Sequence, residues 1–212
     1  MAIHRLNRGT HIQHSRPHKP AGSTAGGGQG DALPTSRRVL LLVDFINPLN
    51  FPGAEDLAPA AVEAAAAAAE LKEQMRKEGF RTLYINDNFG QWRSDFKTLS
   101  TECRRMGGPA ARLARTLKPH PDDLMVLKPR HSGFYATPLD LLLDELGAKE
   151  LVITGLATDF CVMCTAMDAY VRGYKVWVPE DCTAAESPRH KHEALAWMQS
   201  VLKARVKPAL RR

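Results

Sequence analysis

The stretch that decides the fold is residues 151–174, LVITGLATDFCVMCTAMDAYVRGY. Its first four residues are apolar or β-branched, which is typical of a buried parallel strand, and Gly155 predicts the end of that strand. Thr158 or Asp159 can then cap a helix that continues through Tyr170. Cys161 is therefore expected in the first helical turn, at the carboxyl end of the strand.

That position suggests a reactive thiol. The first turn of a helix carries unpaired backbone N–H groups and the positive end of the helix dipole. Both features lower the pKa of a cysteine, and the same amides can hold an oxyanion. The competing interpretation is a small apolar cysteine that packs the helix against the sheet.

Two further strands are predicted to end in an ionisable residue. Residues 39–43, VLLLV, are followed by Asp44, and residues 124–127, LMVL, are followed by Lys128. Open α/β sheets bind their ligands at the carboxyl ends of their strands. Asp44, Lys128 and Cys161 are therefore expected at one edge of the same sheet.

At this point the sequence resembles a known superfamily, the isochorismatase-like cysteine hydrolases, which include nicotinamidases and N-carbamoylsarcosine amidases. The motifs LLLVDF, LKPRHSGF and GLATDFCV carry the resemblance, and they occur in the family's order within residues 38–200. The resemblance implies a Rossmann-like, three-layer α/β/α sandwich, the isochorismatase-like hydrolase fold. Its six-stranded parallel sheet would have the strand order 3-2-1-4-5-6.

The same resemblance implies a catalytic triad of Asp44, Lys128 and Cys161. It also implies a cis peptide bond between Leu156 and Ala157, with the amides of Ala157 and Cys161 forming an oxyanion hole. Lysine can stabilise a thiolate, and aspartate can accept and return the thiol proton. The predicted reaction is hydrolysis of a non-peptide C–N bond in a small amide, ureido or carbamoyl compound through a thioester.

One departure from the family pattern bears on cofactors. Nicotinamidases hold a metal with an aspartate and histidines near the first two strands, but residues 45–51 and 86–92 contain no histidine. Histidine is the commonest ligand for such a metal. We therefore expect no metal and no other cofactor, and we do not expect a nicotinamidase proper.

Two alternatives to the amidohydrolase remain open. Isochorismatases proper use an aspartate-based mechanism that needs no cysteine, so a vinyl ether hydrolase is the alternative enzyme. A catalytically idle member of the family, kept as a binding or oligomeric scaffold, is the alternative outside enzymes. The family resemblance also implies a homo-oligomer, either a dimer or a tetramer.

Aromatic and amide side chains near the predicted site form candidate pocket walls. The segment NDNFGQWRSDF, residues 86–96, follows a strand end and has the mixed lining that small-ligand sites use. The competing interpretation is a loop whose aromatic residues pack against a helix or another subunit. The candidate substrate-binding residues are Phe45, Asn88, Phe89, Trp92, Phe134 and Tyr135.

The remaining elements alternate between helix and strand. Apolar periodicity and glycine positions predict helices over residues 59–78, 107–117, 138–146 and 187–202. Strands are predicted over residues 80–85 and 174–178, and residues 205–206 are a candidate edge strand. Such alternation indicates a parallel sheet that is covered on both faces.

Basic residues are concentrated at the two ends of this chain of 212 residues, whose net charge is +6. Residues 1–38 hold six basic residues and one acidic residue, and residues 203–212 hold five basic residues and no acidic one. The rest is therefore acidic, which disfavours a folded nucleic-acid groove. We expect a disordered basic tail over residues 1–36, one hydrolase domain over residues 37–207, and a basic tail over residues 208–212.

The first tail leaves three explanations open: an upstream start-codon artefact, a basic tail without a folded role, and an organelle transit peptide. No apolar run approaches the roughly 18 residues that a membrane span needs, so no membrane partner is expected. No apolar segment marks a secretory signal. The default expectation is a cytoplasmic enzyme with a small-molecule substrate.

Cys161 and Cys164 also form a C-x-x-C pair at a helix start, as in thioredoxin-like redox sites. The intervening Val162-Met163 lacks the dipeptide types common there, and a redox site would not explain Asp44 and Lys128. We expect Cys164 to be a packed helix residue. A zinc site is less favoured still, because Cys103 and Cys182 do not form a second close pair.

Overall fold

Six parallel strands lie at the centre of the fold in the computed structural model, which describes residues 33–93 and 95–210. Their continuous apolar runs suit a sheet that is buried on both faces, and residues 39–43 have no exposed surface. The strands are β1 (Arg38–Val43), β2 (Arg81–Asp87), β3 (Leu124–Lys128), β4 (Glu150–Leu156), β5 (Lys175–Trp177) and β6 (Thr183–Ala184).

Helices cover both faces of the sheet, which confirms the predicted three-layer α/β/α sandwich. Leu40 and Leu42 of β1 pack toward the first three helices, whereas Val39 and Leu41 pack toward the last three. The helices are α1 (Ala54–Lys77), α2 (Phe96–Met106), α3 (Gly108–Thr116), α4 (Leu139–Glu145), α5 (Met163–Val171) and α6 (Pro188–Val201). Within the described residues, no helix is both long and apolar enough to span a membrane.

The sheet order differs from the expected one at its last strand. The order is β3-β2-β1-β4-β5, but β6 pairs with the end of β4, through Gly155 and Leu156. This happens because β5 is three residues long and pairs only with the beginning of β4, which leaves the carboxyl end of β4 open. Arg205, in the predicted edge strand, forms an isolated parallel bridge with Trp177 of β5.

Two helix predictions also need correction. Helix α1 begins at Ala54 rather than at Pro59, and its first turn carries Glu55 and Asp56, which suit a helix amino terminus. Helix α2 was not predicted, and it begins at the last residue of the predicted loop over residues 86–96. Its Asp95 side chain caps the helix by accepting a hydrogen bond from the Thr98 N–H at 2.7 Å.

Residues assigned to the tails take part in the fold where the structure describes them. Ser36 is buried, and its hydroxyl accepts a hydrogen bond from the Arg81 N–H at 2.9 Å. At the other end, the N–H groups of Ala209 and Leu210 donate to the Asp181 carboxylate at 2.8 and 3.0 Å. Residues 1–32 of the tail that was predicted to be disordered lie outside the described residues, and so do residues 211–212.

Gly155 does not end β4, which continues through Leu156. Its φ of +132° lies in a region that favours glycine, and a Cβ there would lie 2.0 Å from the carbonyl oxygen of Val43. Val43 directly precedes Asp44, so Gly155 permits a close approach of β4 and β1 beside a predicted catalytic residue.

We predict that Gly155→Ala lowers the free energy of unfolding by at least about 2 kcal/mol, because the clash with the Val43 carbonyl adds to an unfavourable backbone conformation. Urea unfolding followed by circular dichroism measures this change. Gly147→Ala is the matched control, since its φ is +66° but nothing lies within 4 Å of the added Cβ. Equal losses in the two variants would contradict a special role for the close approach.

Candidate active site

The carboxyl edge of the sheet brings the three predicted catalytic side chains together. Asp44 follows β1, Lys128 ends β3, and Cys161 lies in a π-helical turn (Thr158–Val162) after β4. The Lys128 Nζ lies 2.8 Å from the Asp44 Oδ2 and 3.5 Å from the Cys161 Sγ. All three residues are buried, and Lys128 has no exposed surface.

Hydrogen bonds from β2 position Asp44. Its φ of 52° is a left-handed conformation that aspartate tolerates better than most residues. The Asp44 N–H donates to the Ile85 carbonyl at 2.9 Å, and its Oδ1 accepts from the Asp87 N–H at 2.7 Å. The buried Asn86 amide donates to the Ile46 carbonyl at 2.7 Å, which holds the loop that follows Asp44.

The turn that carries Cys161 begins at a cis peptide bond between Leu156 and Ala157, as predicted. Ala157 is the N-cap and no side chain makes a capping hydrogen bond, so the predicted capping by Thr158 or Asp159 is wrong. The Ala157 carbonyl instead accepts hydrogen bonds from the N–H groups of Phe160 and Val162 at 3.1 and 3.2 Å. The oxyanion role of the Ala157 and Cys161 amides stays a prediction.

The electrostatics of this cluster differ from the expected lowered thiol pKa. Burial raises the pKa of Cys161, the negative charge of Asp44 raises it further, and Lys128 opposes both. Burial also raises the pKa of Asp44 against the opposing charge of Lys128. For Lys128, burial alone would lower the pKa, but Asp44, Cys161 and Asp87 together raise it. The raised pKa of Cys161 favours a protonated thiol, and the raised pKa of Lys128 favours an ammonium group beside it.

Asp87 is a second carboxylate at the site that the sequence analysis missed. Its Oδ2 lies 3.4 Å from the Lys128 Nζ, and its side chain is 26% exposed, so it faces both the lysine and solvent. Its Oδ1 accepts a hydrogen bond from the Phe89 N–H at 2.6 Å. The position at the end of β2, next to Lys128 in the register of β3, was the available sequence signal.

His131 is the other residue that the sequence analysis left without a role. Its Nδ1 lies 4.0 Å from the Cys161 Sγ, and its ring packs against that of Phe160 with 4.0 Å between centroids. His131 is exposed, unlike the triad, so it approaches the sulfur from the solvent side.

The predicted substrate-binding residues of the loop after β2 differ in their exposure to solvent. The Asn88 N–H donates to the Lys128 carbonyl at 3.0 Å, which places this residue beside the site. Phe89 follows it and is exposed, while Trp92 is 79% exposed and packs little against the described residues. Their contact with substrate stays a prediction.

Phe45 and Phe134 are buried, and their contact with substrate stays a prediction. Phe45 is fully buried in the core beneath α1, and Phe134 is buried in the opposite core layer. The Arg172 guanidinium carbon lies over the Phe134 ring, 4.5 Å from the ring centroid. Tyr135, by contrast, is exposed and lines a groove with His131.

No group of three or more histidine, cysteine, aspartate or glutamate side chains is arranged to hold a metal ion within residues 33–93 and 95–210. The residues at the ends of β1 and β2 therefore do not fit the metal site of nicotinamidases. That the enzyme works without a metal stays a prediction.

Sequence comparisons support the family assignment. A family model described as the Isochorismatase domain matches residues 38–206. An uncharacterized isochorismatase family protein of Bacillus subtilis (strain 168), YaaI, is 37% identical over 169 residues, which are 80% of this chain and 92% of that protein. The ureidoacrylate amidohydrolase RutB of Enterobacter sp. (strain 638) is 41% identical over 88 residues, but these are only 42% of this chain and 38% of that protein.

Solved structures share the fold. N-carbamoylsarcosine amidase from Thermoplasma acidophilum is 28% identical with a TM-score of 0.64, covering 83% of this chain and 98% of that chain. The Staphylococcus aureus nicotinamidase SaPncA is 24% identical with a TM-score of 0.65, covering 83% and 100%. The chain belongs to the isochorismatase family.

The charges around the thiol predict opposite effects for its two neighbours. Asp44→Asn removes a charge that raises the pKa of Cys161, so alkylation of Cys161 at pH 7 should accelerate. Lys128→Met removes the charge that opposes this rise, so alkylation should slow. Iodoacetamide labelling with peptide mass mapping measures both rates.

A Cys164→Ser background removes the nearest competing thiol, and the buried Cys182 serves as the internal reference. In the unmodified site, the alkylation rate should increase with pH, because the thiolate is the reacting form and the thiol pKa is raised. Slower labelling of Asp44→Asn than of the parent would contradict this electrostatic arrangement.

Proposed function

We propose that this protein is a cysteine-dependent hydrolase that cleaves a non-peptide C–N bond in a small amide, ureido or carbamoyl compound. The observation that carries the proposal is the Lys128 ammonium, which contacts both the Asp44 carboxylate and the Cys161 sulfur in a buried site. This arrangement offers a nucleophile, a proton acceptor and a fixed positive charge within hydrogen-bonding reach of one another.

In the first half of the reaction, the Cys161 thiol transfers its proton to Asp44 while the sulfur attacks the carbonyl carbon of the substrate. The raised pKa of Asp44 makes its carboxylate a stronger base than an exposed one, and Lys128 stabilises the thiolate as it forms. The amides of Ala157 and Cys161 would stabilise the oxyanion.

The tetrahedral intermediate then collapses with cleavage of the C–N bond. Asp44 returns its proton to the departing nitrogen, so ammonia or an amine leaves and a thioester remains on Cys161. Water hydrolyses this thioester and regenerates the thiol. Each proton taken up in the first step is returned in the second, as a single acid–base group requires.

The relatives support a C–N bond as the target. Ureidoacrylate amidohydrolase and N-carbamoylsarcosine amidase are named for amide-type substrates, and both are similar to this chain. The burial of the triad favours a small molecule, because a polymer could not reach side chains with so little exposed surface.

Comparison of single variants tests the proposal. A panel of small primary amides, ureido acids and N-carbamoyl amino acids is screened for ammonia release by wild type, and hits are repeated with Cys161→Ala. We expect a loss of at least about a thousandfold in kcat/KM, because the nucleophile is removed. Cys164→Ala is the matched control, and its kcat/KM should stay within about threefold of the wild-type value, because Cys164 takes no part in the proposed chemistry.

Other outcomes favour the alternatives. Turnover of a vinyl ether substrate that survives Cys161→Ala but not Asp44→Ala would indicate an isochorismatase-type hydrolase. Folded wild-type protein that turns over no member of either substrate class, and forms no covalent adduct at Cys161, would favour the scaffold.

A further inference from the structure

The second half of the proposed reaction needs a proton acceptor that water can reach. Asp44 and Lys128 are buried, whereas the water that attacks a thioester must enter from the solvent side. His131 is exposed and approaches the Cys161 Sγ from that side, with its Nδ1 at 4.0 Å. Histidine is the side chain that ordinarily exchanges a proton near neutral pH.

The His131 imidazole, which lies beside the sulfur, also contacts an aromatic ring. The ring of Phe160, the residue before Cys161, lies 4.0 Å from the His131 ring, with an angle of 43° between their planes. Phe160 is 52% exposed, so its ring gains little from core burial at this position. The contact instead limits the orientations that the imidazole can take.

The backbone on the other side of His131 is fastened to the helix that follows Cys161. The Ser132 hydroxyl donates to the Asp168 carboxylate at 2.5 Å, and the Gly133 N–H donates to the Thr165 hydroxyl at 3.0 Å. That hydroxyl in turn donates to the Cys161 carbonyl at 2.7 Å. The histidine and the nucleophile therefore belong to one hydrogen-bonded unit.

Gly133 allows this loop to lie close to the core. A Cβ at Gly133 would lie 2.9 Å from the Ile85 Cγ2 and 3.2 Å from the Leu139 Cδ2. The loop thus rests directly on β2 and on the start of α4. A base must be held within hydrogen-bonding reach of its water, and these contacts supply that restraint for His131.

We propose that His131 is the general base of thioester hydrolysis, a role that rests on the function proposed above. An imidazole nitrogen accepts a proton from water as the water oxygen bonds to the acyl carbon of the Cys161 thioester. The C–S bond then breaks with its electron pair going to sulfur, beside the Lys128 ammonium. The carboxylic acid product leaves, and the proton on His131 passes to the sulfur or to solvent.

Other polar groups line the groove in which His131 lies, namely Arg130, Tyr135, Cys164 and Asp168. Cys161 lies beside His131, with its Sγ 4.0 Å from the Nδ1. Asp168 accepts a hydrogen bond from the Ser132 hydroxyl and pairs with Arg172, whose Nη1 lies 2.9 Å from the Asp168 Oδ1. A variant confined to His131 leaves all of these groups in place.

Acetylation by p-nitrophenyl acetate tests the role without knowledge of the natural substrate. The p-nitrophenolate burst reports formation of the S-acetyl enzyme, and intact-protein mass spectrometry of acid-quenched samples reports its hydrolysis. In His131→Gln we expect hydrolysis to slow by about a hundredfold, the usual contribution of a general base, while the burst rate changes little. His120→Gln, at an exposed surface position, is the matched control and should match wild type.

Chemical rescue separates a base from a merely structural residue. Added imidazole should accelerate hydrolysis in His131→Ala more than in wild type, because free imidazole can occupy the space that the side chain vacates.

The outcomes distinguish the two proposals. If Cys161 is acetylated but the thioester lifetime is unchanged in His131→Gln, the role of His131 is overturned and the cysteine hydrolase remains. If wild-type Cys161 is not acetylated at all, then both the nucleophile and the base assigned to its thioester are overturned.

Discussion

The buried ammonium group of Lys128 is the constraint on which the site depends. A charge without exposed surface is costly unless it is paired and hydrogen-bonded. Asp44 and Asp87 supply two carboxylates, at 2.8 and 3.4 Å, and Cys161 supplies a sulfur at 3.5 Å. Removing one carboxylate would leave the lysine partly unpaired, which typically costs about 3–5 kcal/mol. The lysine therefore requires its neighbours for folding as well as for chemistry.

This pairing also explains why the resting thiol is protonated. A cysteine near a helix start is ordinarily activated, but burial and the charge of Asp44 raise the pKa of Cys161. The carboxylate that suppresses the thiolate is the group that can accept its proton. Transfer of that proton removes the opposing charge and leaves the thiolate beside Lys128 alone. The nucleophile is thus generated when the proton moves, and the unacylated enzyme does not expose a reactive thiolate.

Sequence patterns predicted the layered fold and the meeting of three side chains, because apolar runs identify buried strands and their carboxyl ends converge. They did not predict the sign of the thiol pKa shift, since burial depends on packing that no local motif encodes. The burial of Phe45 and Phe134 was not predicted for the same reason. Helix α2 was missed although Asp95 offered a cap, because the aromatic residues before it were interpreted as a pocket loop. The pairing of β6 with β4 followed from the shortness of β5, which strand propensity does not determine.

The geometry of the sheet accounts for the choice of residue at each strand end. Neighbouring strands lie about 4.8 Å apart, so β3 is separated from β1 by about 10 Å, with β2 between them. Only a long side chain on β3 can reach Asp44 across that distance, which explains a lysine at position 128. Asp87 ends the intervening strand, directly beside Lys128 in register, so the extended side chain passes a carboxylate on its way to the centre. Cys161 needs no such reach, because β4 is the immediate neighbour of β1 and Gly155 allows the two backbones to approach closely.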